Sequence, residues 1–232
     1  MTPNRVPIAN KILAALSRAE YLRVLPHLES VTLAFGEVLF EPGDQIKHVY
    51  FPSDSLVSLL TLVDQHRALE VGMVGREGMI GNAVALDIDV SPVRAMVQGA
   101  GTALRMKAAS FRKELRQSHS LQHEVHLYTH LLMGQIAQTA ACNRFHVIEA
   151  RLARWLLMTR DRVGSNYFRM TQEFLGHMLG VRRVGVTKAA HALKQRKLIG
   201  YSRGEITIVD GHGLEDASCS CYKMVNGPPT KA

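Results

Sequence analysis

Between Arg169 and Arg203 the chain sets eight bases (Arg169, Arg182, Arg183, Lys188, Lys194, Arg196, Lys197 and Arg203) against one acid, Glu173. A cationic stretch of that density can neutralise phosphates, so a polyanion is its natural partner; a solvated basic face is the simpler alternative. Four histidines, His119, His123, His126 and His130, follow at steps of four, three and four. At ~100° per residue they share one helical stripe, and imidazoles at i, i+4 have the spacing of zinc, copper or haem ligands and of a pH-responsive face. The simpler reading is a polar solvated face, and no metal is assigned to it. Cys142 and His146 lie one helical turn apart with Asn143 between them. These are the residue types of a thiol hydrolase, but a catalytic Cys–His pair is normally assembled from separate elements around a cleft, so no enzyme is expected. Cys219-Ser220-Cys221 is a two-thiol spacing that could ligate a metal or oxidise, with a structural role the simpler expectation.

The bases need an element to present them, and Thr171 to Ile199 supplies one. Thr171 suits a helix N-cap and Glu173 the positive end of the helix dipole. Phe174, Leu175, Met178 and Leu179 form a face to bury. Gly176 is small where a second helix would cross closely, Gly180 sits where the chain must turn sharply, and Val181 plugs the turn. A second helix from about Arg182 buries Val186, Ala189, Ala190 and Leu193 while exposing Arg182, Arg183, Lys188 and Lys194. Two helices joined by a tight glycine turn, with bases on the exposed start of the second, describe a helix-turn-helix. Leu198 to Tyr201, Ser202-Arg203-Gly204 and Ile206 to Val209 then read as a β-hairpin with Arg203 at its tip, a wing.

Upstream the pattern changes twice. A helix is expected from Asn10 to about Leu28. From about Val31 to Met106, β-formers (Val38 to Phe40, Val49 to Phe51, Leu56 to Val63, Leu69 to Val74, Ala95 to Val97, Ala103 to Met106) alternate with turn residues. These include Pro42-Gly43-Asp44, Asp64-Gln65-His66, Ser91-Pro92 and Gly99-Ala100-Gly101. Turns at roughly ten-residue spacing predict an antiparallel sandwich or barrel. Ala108 to Arg116 fits a short helix and Ser118 to about Asn143 a long one. In the long helix Leu121, Val125, Tyr128, Leu132 and Ile136 make one stripe. That is the seam of a helix pairing with its own copy, or the buried face of a helix packed on its own domain. Val147 to Arg162 is a further helix.

Composition narrows the classes. The chain has 232 residues, 47% hydrophobic and 21% charged, with a net charge of +8. Residues 1–146 carry 14 bases and 13 acids, whereas residues 147–232 carry 14 and 7, so nearly all the excess is C-terminal. No apolar run approaches the ~18 residues of a membrane helix. Arg5, Lys11 and Arg18 interrupt the N-terminal apolar stretch that a signal peptide would need. Three cysteines make no disulfide framework, and the expected location is the cytoplasm.

The order of parts resembles the Crp/Fnr superfamily of bacterial transcription regulators over nearly the whole chain. The likeness is carried by Arg151-Leu152-Ala153-Arg154-Trp155-Leu156-Leu157, by Met170 to Leu175, by Met178-Leu179-Gly180-Val181-Arg182-Arg183 and by Leu198-Ile199 with Arg203-Gly204. Phe40-Glu41-Pro42-Gly43-Asp44 followed by Val49-Tyr50-Phe51 echoes it in the first part. The resemblance implies an α+β fold. Residues 1–117 would form a double-stranded β-roll, jelly-roll-like and similar to cyclic-nucleotide-binding domains. Residues 118–146 would form a dimerisation helix, with Leu121, Val125, Tyr128, Leu132 and Ile136 as its interface, and residues 147–232 a winged helix-turn-helix.

It further implies that Arg183 takes the guanine-reading place, since a guanidinium can bond two guanine acceptors at once. Val184 stands where many members have a cytosine-reading glutamate, and Lys188 where many have another arginine, so the operator departs from the family's commonest one. Arg182, Thr171, Gln172 and Arg203 fall to phosphate contacts, which position without specifying. In the sensing part Asn82 replaces the ribose-holding glutamate of members that bind cyclic AMP. Arg94 is the nearest candidate for their phosphate-holding arginine but is out of register, which speaks against a cyclic nucleotide. The N-terminal cysteine cluster of iron–sulfur members is missing, the first cysteine being Cys142.

The expectation is therefore a homodimeric regulator that binds a nearly palindromic double-stranded DNA operator, acts with RNA polymerase and answers a small-molecule effector, away from any membrane. One alternative is a ligand-binding module whose basic end docks on a protein. Another is a metal, haem or redox sensor using the His119–His130 stripe or the cysteines.

Overall fold

The computed structural model describes residues 8–63 and 68–226. It divides into two compact units, Met1–Leu59 with Met73–His130, and Leu60–Gly72 with Leu131–Ala232. The turn expected at Asp64–His66 lies outside the described residues.

In the first unit the single expected N-terminal helix is broken. α1 covers Lys11–Ala14, capped by Asn10, whose side-chain oxygen accepts from the Ile12 and Leu13 amides. α2 covers Arg18–Val24 and starts at Ser17 in a capping box with Glu20. The Ser17 hydroxyl competes for the backbone and restarts the helix there, an effect apolar periodicity does not register. A 3-10 turn, Leu25–His27, follows around Pro26.

Seven strands come next: β1 (Glu29–Leu33), β2 (Val38–Phe40), β3 (His48–Pro52), β4 (Leu56–Leu62), β5 (Ala68–Val74), β6 (Arg94–Gly99) and β7 (Gly101–Lys107). They form two sheets, β1-β7-β3 and β2-β6-β4-β5, the expected roll. Within the first sheet the pairing is antiparallel, Ser30 opposite Leu104 and Phe51 opposite Leu104 on its other side. Phe51, Val97, Met106 and Phe111 fill the interior, with the Phe51 and Phe111 rings 6.2 Å apart.

α3 (Ala108–Gln117) and α4 (His119–Phe145) close this part of the chain. The Ser118 hydroxyl accepts the Leu121 amide at the start of α4. The stripe expected to face a second subunit is buried in the chain's own fold. Leu121 and Val125 are 0% exposed, Tyr128 6% and Leu132 5%. A Cβ on Gly78 would overlap the Tyr128 ring, so Tyr128 packs within the first unit. The reading to correct is therefore Leu121, Val125, Tyr128 and Leu132 as a subunit seam: each of two equally apolar uses of a helix face gives the same period, and the structure shows the intramolecular one.

The second unit holds α5 (Ile148–Val163), β8 (Tyr167–Arg169), α6 (Gln172–Leu179), α7 (Arg183–Gln195), β9 (Ile199–Ser202), β10 (Glu205–Ile208), α8 (Gly211–Ala217) and α9 (Cys221–Asn226). Strands β8, β10 and β9 make a three-stranded antiparallel sheet in that order. Leu152, Ala153, Leu156 and Leu157 of α5 form its core with Val186, Ala190 and Leu193 of α7. The β4–β5 hairpin end belongs to this unit, where the Trp155 indole donates to the buried Glu70 carboxylate at 2.8 Å. β8, α8 and α9 were not anticipated, being too short for periodicity; the Asp210 cap that starts α8 was the available signal.

Candidate nucleic-acid interface

The geometry of the two-helix motif follows from single residues. The Thr171 hydroxyl accepts the Phe174 amide at 3.1 Å and starts α6. Gly180 ends it at φ +62°, a left-handed conformation in which a side chain is strained. A Cβ at Gly176 would stand 3.0 Å from the Val181 carbonyl oxygen, tighter than an ordinary contact, so the absence of a side chain here eases the close fold of the turn against α6. A buried Arg151 side chain donates to the Leu179 carbonyl, tying α5 to the end of α6. Phe174, expected inside, is only half-buried.

Turn and packing together leave the beginning of α7 in solvent. Arg182, Arg183, Val184 and Lys188 are all exposed, Val184 by 58%. No side chain caps α7, so its first amide N–H groups and the positive end of its dipole add to the guanidinium charge. None of Arg182, Arg183 and Lys188 has an acidic partner among the described residues, which leaves their charge available to an anion. Arg203 and Gly204 form the two-residue turn between β9 and β10, both with positive φ, and Arg203 is exposed at the tip of the wing.

The other bases divide. Arg196 is paired with Glu149 at 2.9 Å, Arg169 lies 3.9 Å from Glu205, and Lys194 donates to the Tyr201 carbonyl at 3.1 Å. Lys194 is thus a tether between α7 and the wing as well as a surface charge. Gln172 accepts from the Thr187 hydroxyl at 2.6 Å, which fixes its amide against α7.

Arg94 is clamped by both oxygens of Glu41, at 2.9 and 3.0 Å, and Asn82 begins the 3-10 turn Asn82–Leu86. His119, His123, His126 and His130 are exposed along α4. Cys142 is 1% exposed with its sulfur 3.5 Å from that of Cys219, a buried thiol against another thiol. A hydrogen bond from Cys219, and then the Arg154 guanidinium, hold the Cys142 thiol well below the usual thiol range. Cys221 and His146 complete the group, so the ligand-type residues gathered in space are Cys142, His146, Cys219 and Cys221.

A glycine-turned helix pair with a basic second helix and a charged hairpin wing defines the class: a winged helix-turn-helix domain of the DNA-binding type. Residues 150–217 match the Crp-like helix-turn-helix domain family. The solved structures with this fold include FixK2 from Bradyrhizobium japonicum (TM-score 0.68, 13% identity, 83% of this chain and 98% of that one). They also include the c-di-GMP-responsive global regulator CLP of Xanthomonas campestris (0.67, 15%, 83% and 99%). A third is a CRP-family transcriptional regulator from Thermus thermophilus (0.67, 19%, 81% and 96%). No curated protein matches. The chain therefore carries a Crp-like helix-turn-helix domain and has the α+β fold of Crp/Fnr-family transcription regulators. No described helix is long and apolar enough to cross a membrane.

Proposed function

We propose that the chain is a sequence-specific transcription regulator that binds a nearly palindromic DNA operator as a homodimer. The observation that carries this reading is the exposed group Arg182, Arg183, Val184 and Lys188 at the start of α7, its cations without an acidic partner among the described residues, with Arg203 on the wing. In this reading Arg183 reads a guanine, Val184 meets a thymine methyl, and Thr171, Gln172, Arg182 and Arg203 hold phosphates. The organisation into residues 1–117, 118–146 and 147–232 goes with it, as do a cytoplasmic location and action on RNA polymerase.

The subunit contact moves to another face of α4. Leu127, Leu131, Gly134, Ala141 and Phe145 recur at steps of four, three, seven and four, the period of a paired helix. Leu131 is 40% and Phe145 77% exposed, and nothing among the described residues lies within 4 Å of a Cβ on Gly134, which would let a second helix approach closely. The first unit would sense a small-molecule effector. The Arg94–Glu41 ion pair, which occupies the arginine nearest to a phosphate-holding position, supports a ligand other than a cyclic nucleotide.

Selection from a random duplex pool tests the reading. The expected product is a palindrome, with Arg183→Ala losing about 5- to 150-fold in affinity for each half-site, equal to about 1–3 kcal/mol each, and relaxing one base pair per half-site. No selected sequence at low salt would favour docking of the basic end on a protein instead.

A further inference from the structure

The last turn of α4 and the segment entering α9 bring four metal-ligand side chains together. Cys142 Sγ and Cys219 Sγ are 3.5 Å apart, Cys221 Sγ and His146 Nδ1 are 3.5 Å apart, and all four ligand atoms lie within 4.8 Å of one another. The three sulfurs are buried (Cys142 and Cys221 at 1%, Cys219 at 7%), and His146 is half-buried at their edge. Metal–sulfur bonds of about 2.3 Å and metal–nitrogen bonds of about 2.0–2.1 Å around a tetrahedron put neighbouring ligand atoms about 3.7 Å apart. Two of the edges here are already that short, and the longest needs to close by about 1 Å. A disulfide would account for two of the sulfurs only, and would leave a third buried thiol and an imidazole turned on the same point without a role.

The surroundings suit a thiolate-rich centre. Gln138 Nε2 donates to Cys221 Sγ at 2.9 Å, the outer-sphere bond that orients a ligating sulfur. Arg151 and Arg154 of α5 are buried, and the Nε atom of each has no hydrogen-bond partner among the described residues. Three thiolates around a dication leave one negative charge, which these guanidinium groups would balance; without it they are two buried cations in one place. Three sulfurs and one imidazole select a borderline-soft ion over calcium or magnesium, and four protein ligands leave no open position for catalysis.

We propose that Cys142, His146, Cys219 and Cys221 form a closed tetrahedral site for Zn2+ that clips the C-terminal segment to the end of α4. The clip joins residues 77 positions apart and so encloses α5, α6, α7 and the wing in one loop, stabilising the winged helix-turn-helix unit as bound metal stabilises any fold that alone can hold it. This inference rests on the fold and not on the DNA-binding reading, so either can fail without the other.

The test uses the full chain, purified reduced and without added chelator. Elemental analysis is expected to find about one zinc per chain. After zinc is removed, Co2+ titrated into the reduced protein should give the visible bands and sulfur-to-cobalt charge-transfer absorption of a tetrahedral thiolate site, displaced by Zn2+. An aromatic disulfide reagent should find all three thiols slow with zinc and fast without it. Cys219→Ser combined with Cys221→Ser should abolish the cobalt bands, whereas His146→Cys should keep them and shift the charge-transfer absorption as a fourth sulfur joins. The proposal is overturned if the folded, reduced wild-type chain gives no tetrahedral cobalt spectrum. It is equally overturned by bands that survive the double serine variant, or by a Cys142–Cys219 disulfide in metal-free protein isolated without air.

Discussion

Replacing Arg203 by alanine offers a quantitative reading of the interface. On each protomer Arg182, Lys188 and Arg203 are exposed cations without acidic partners among the described residues; Arg182 and Arg203 are the proposed phosphate contacts, Lys188 is counted with them as a third cation facing the same polyanion, and Arg183 is reserved for a base. Three per protomer make six per dimer, and counterion release then predicts a slope of log K against log salt of about −5. Affinity should fall on the order of 10³-fold between 50 and 200 mM salt. Arg203→Ala removes one contact from each half-site, so the slope should flatten by about 1.8 in a dimer, against about 0.9 for a monomer on DNA. Fluorescence anisotropy with a selected operator across a salt series reads this directly. Arg196→Ala is the internal control, since the Arg196 charge is already committed to Glu149 at 2.9 Å and the slope should not move. Equal flattening by both variants would refute the division of the bases, and an unchanged slope for Arg203→Ala would remove the wing from the interface.

Four further outcomes follow from the same structure. Gly180→Ala forces a side chain into φ +62° and against Leu69 Cδ1 at 2.6 Å, and should cost about 1–3 kcal/mol in urea unfolding. Leu121→Ala, at a fully buried site, should cost about 2–5 kcal/mol without changing the solution mass. Leu131→Glu should instead lower the mass measured by sedimentation to that of one chain and leave the fold intact; a dimer surviving Leu131→Glu would reject the proposed seam. Glu20 is held down to about 2, by the Ser17 hydroxyl first and then by Ser118 and Ser120, from its ordinary 4.5. A depressed folded value stabilises the protein above pH 4.5, and that contribution is lost as pH falls from there through about 2. Unfolding midpoints of wild type and Glu20→Gln should therefore converge across that window, and parallel curves would contradict the assignment.

How far the sequence could be read depended on whether the signal was local. Thr171, Gly176, Gly180 and Arg203 each act through their own backbone or their nearest neighbours along the chain. A cap, a close crossing, a left-handed turn and a hairpin tip were therefore legible one by one, and their coincidence pointed to the helix-turn-helix. The strands Val38–Phe40 and Leu56–Leu62 were legible for the same reason, through β-formers between turns. The Ser17 break in the first helix was also local, but its capping box was hidden under an apolar pattern that runs through it. Lys194 and Arg196 looked like free charges because their partners, Tyr201 and Glu149, lie on other elements.

Residue order alone determined the identity of the helix-turn-helix element, because the turn, caps and charge that define it lie within some thirty consecutive residues. Which face of α4 is interior was decided only by tertiary packing: hydrophobic period measures that a face is covered, and Tyr128 against Gly78 shows by what. The same holds for the four ligand side chains. His146 follows Cys142 by one turn, but Cys219 reaches Cys142 across 77 residues, and no spacing rule spans a distance that only the folded winged domain closes.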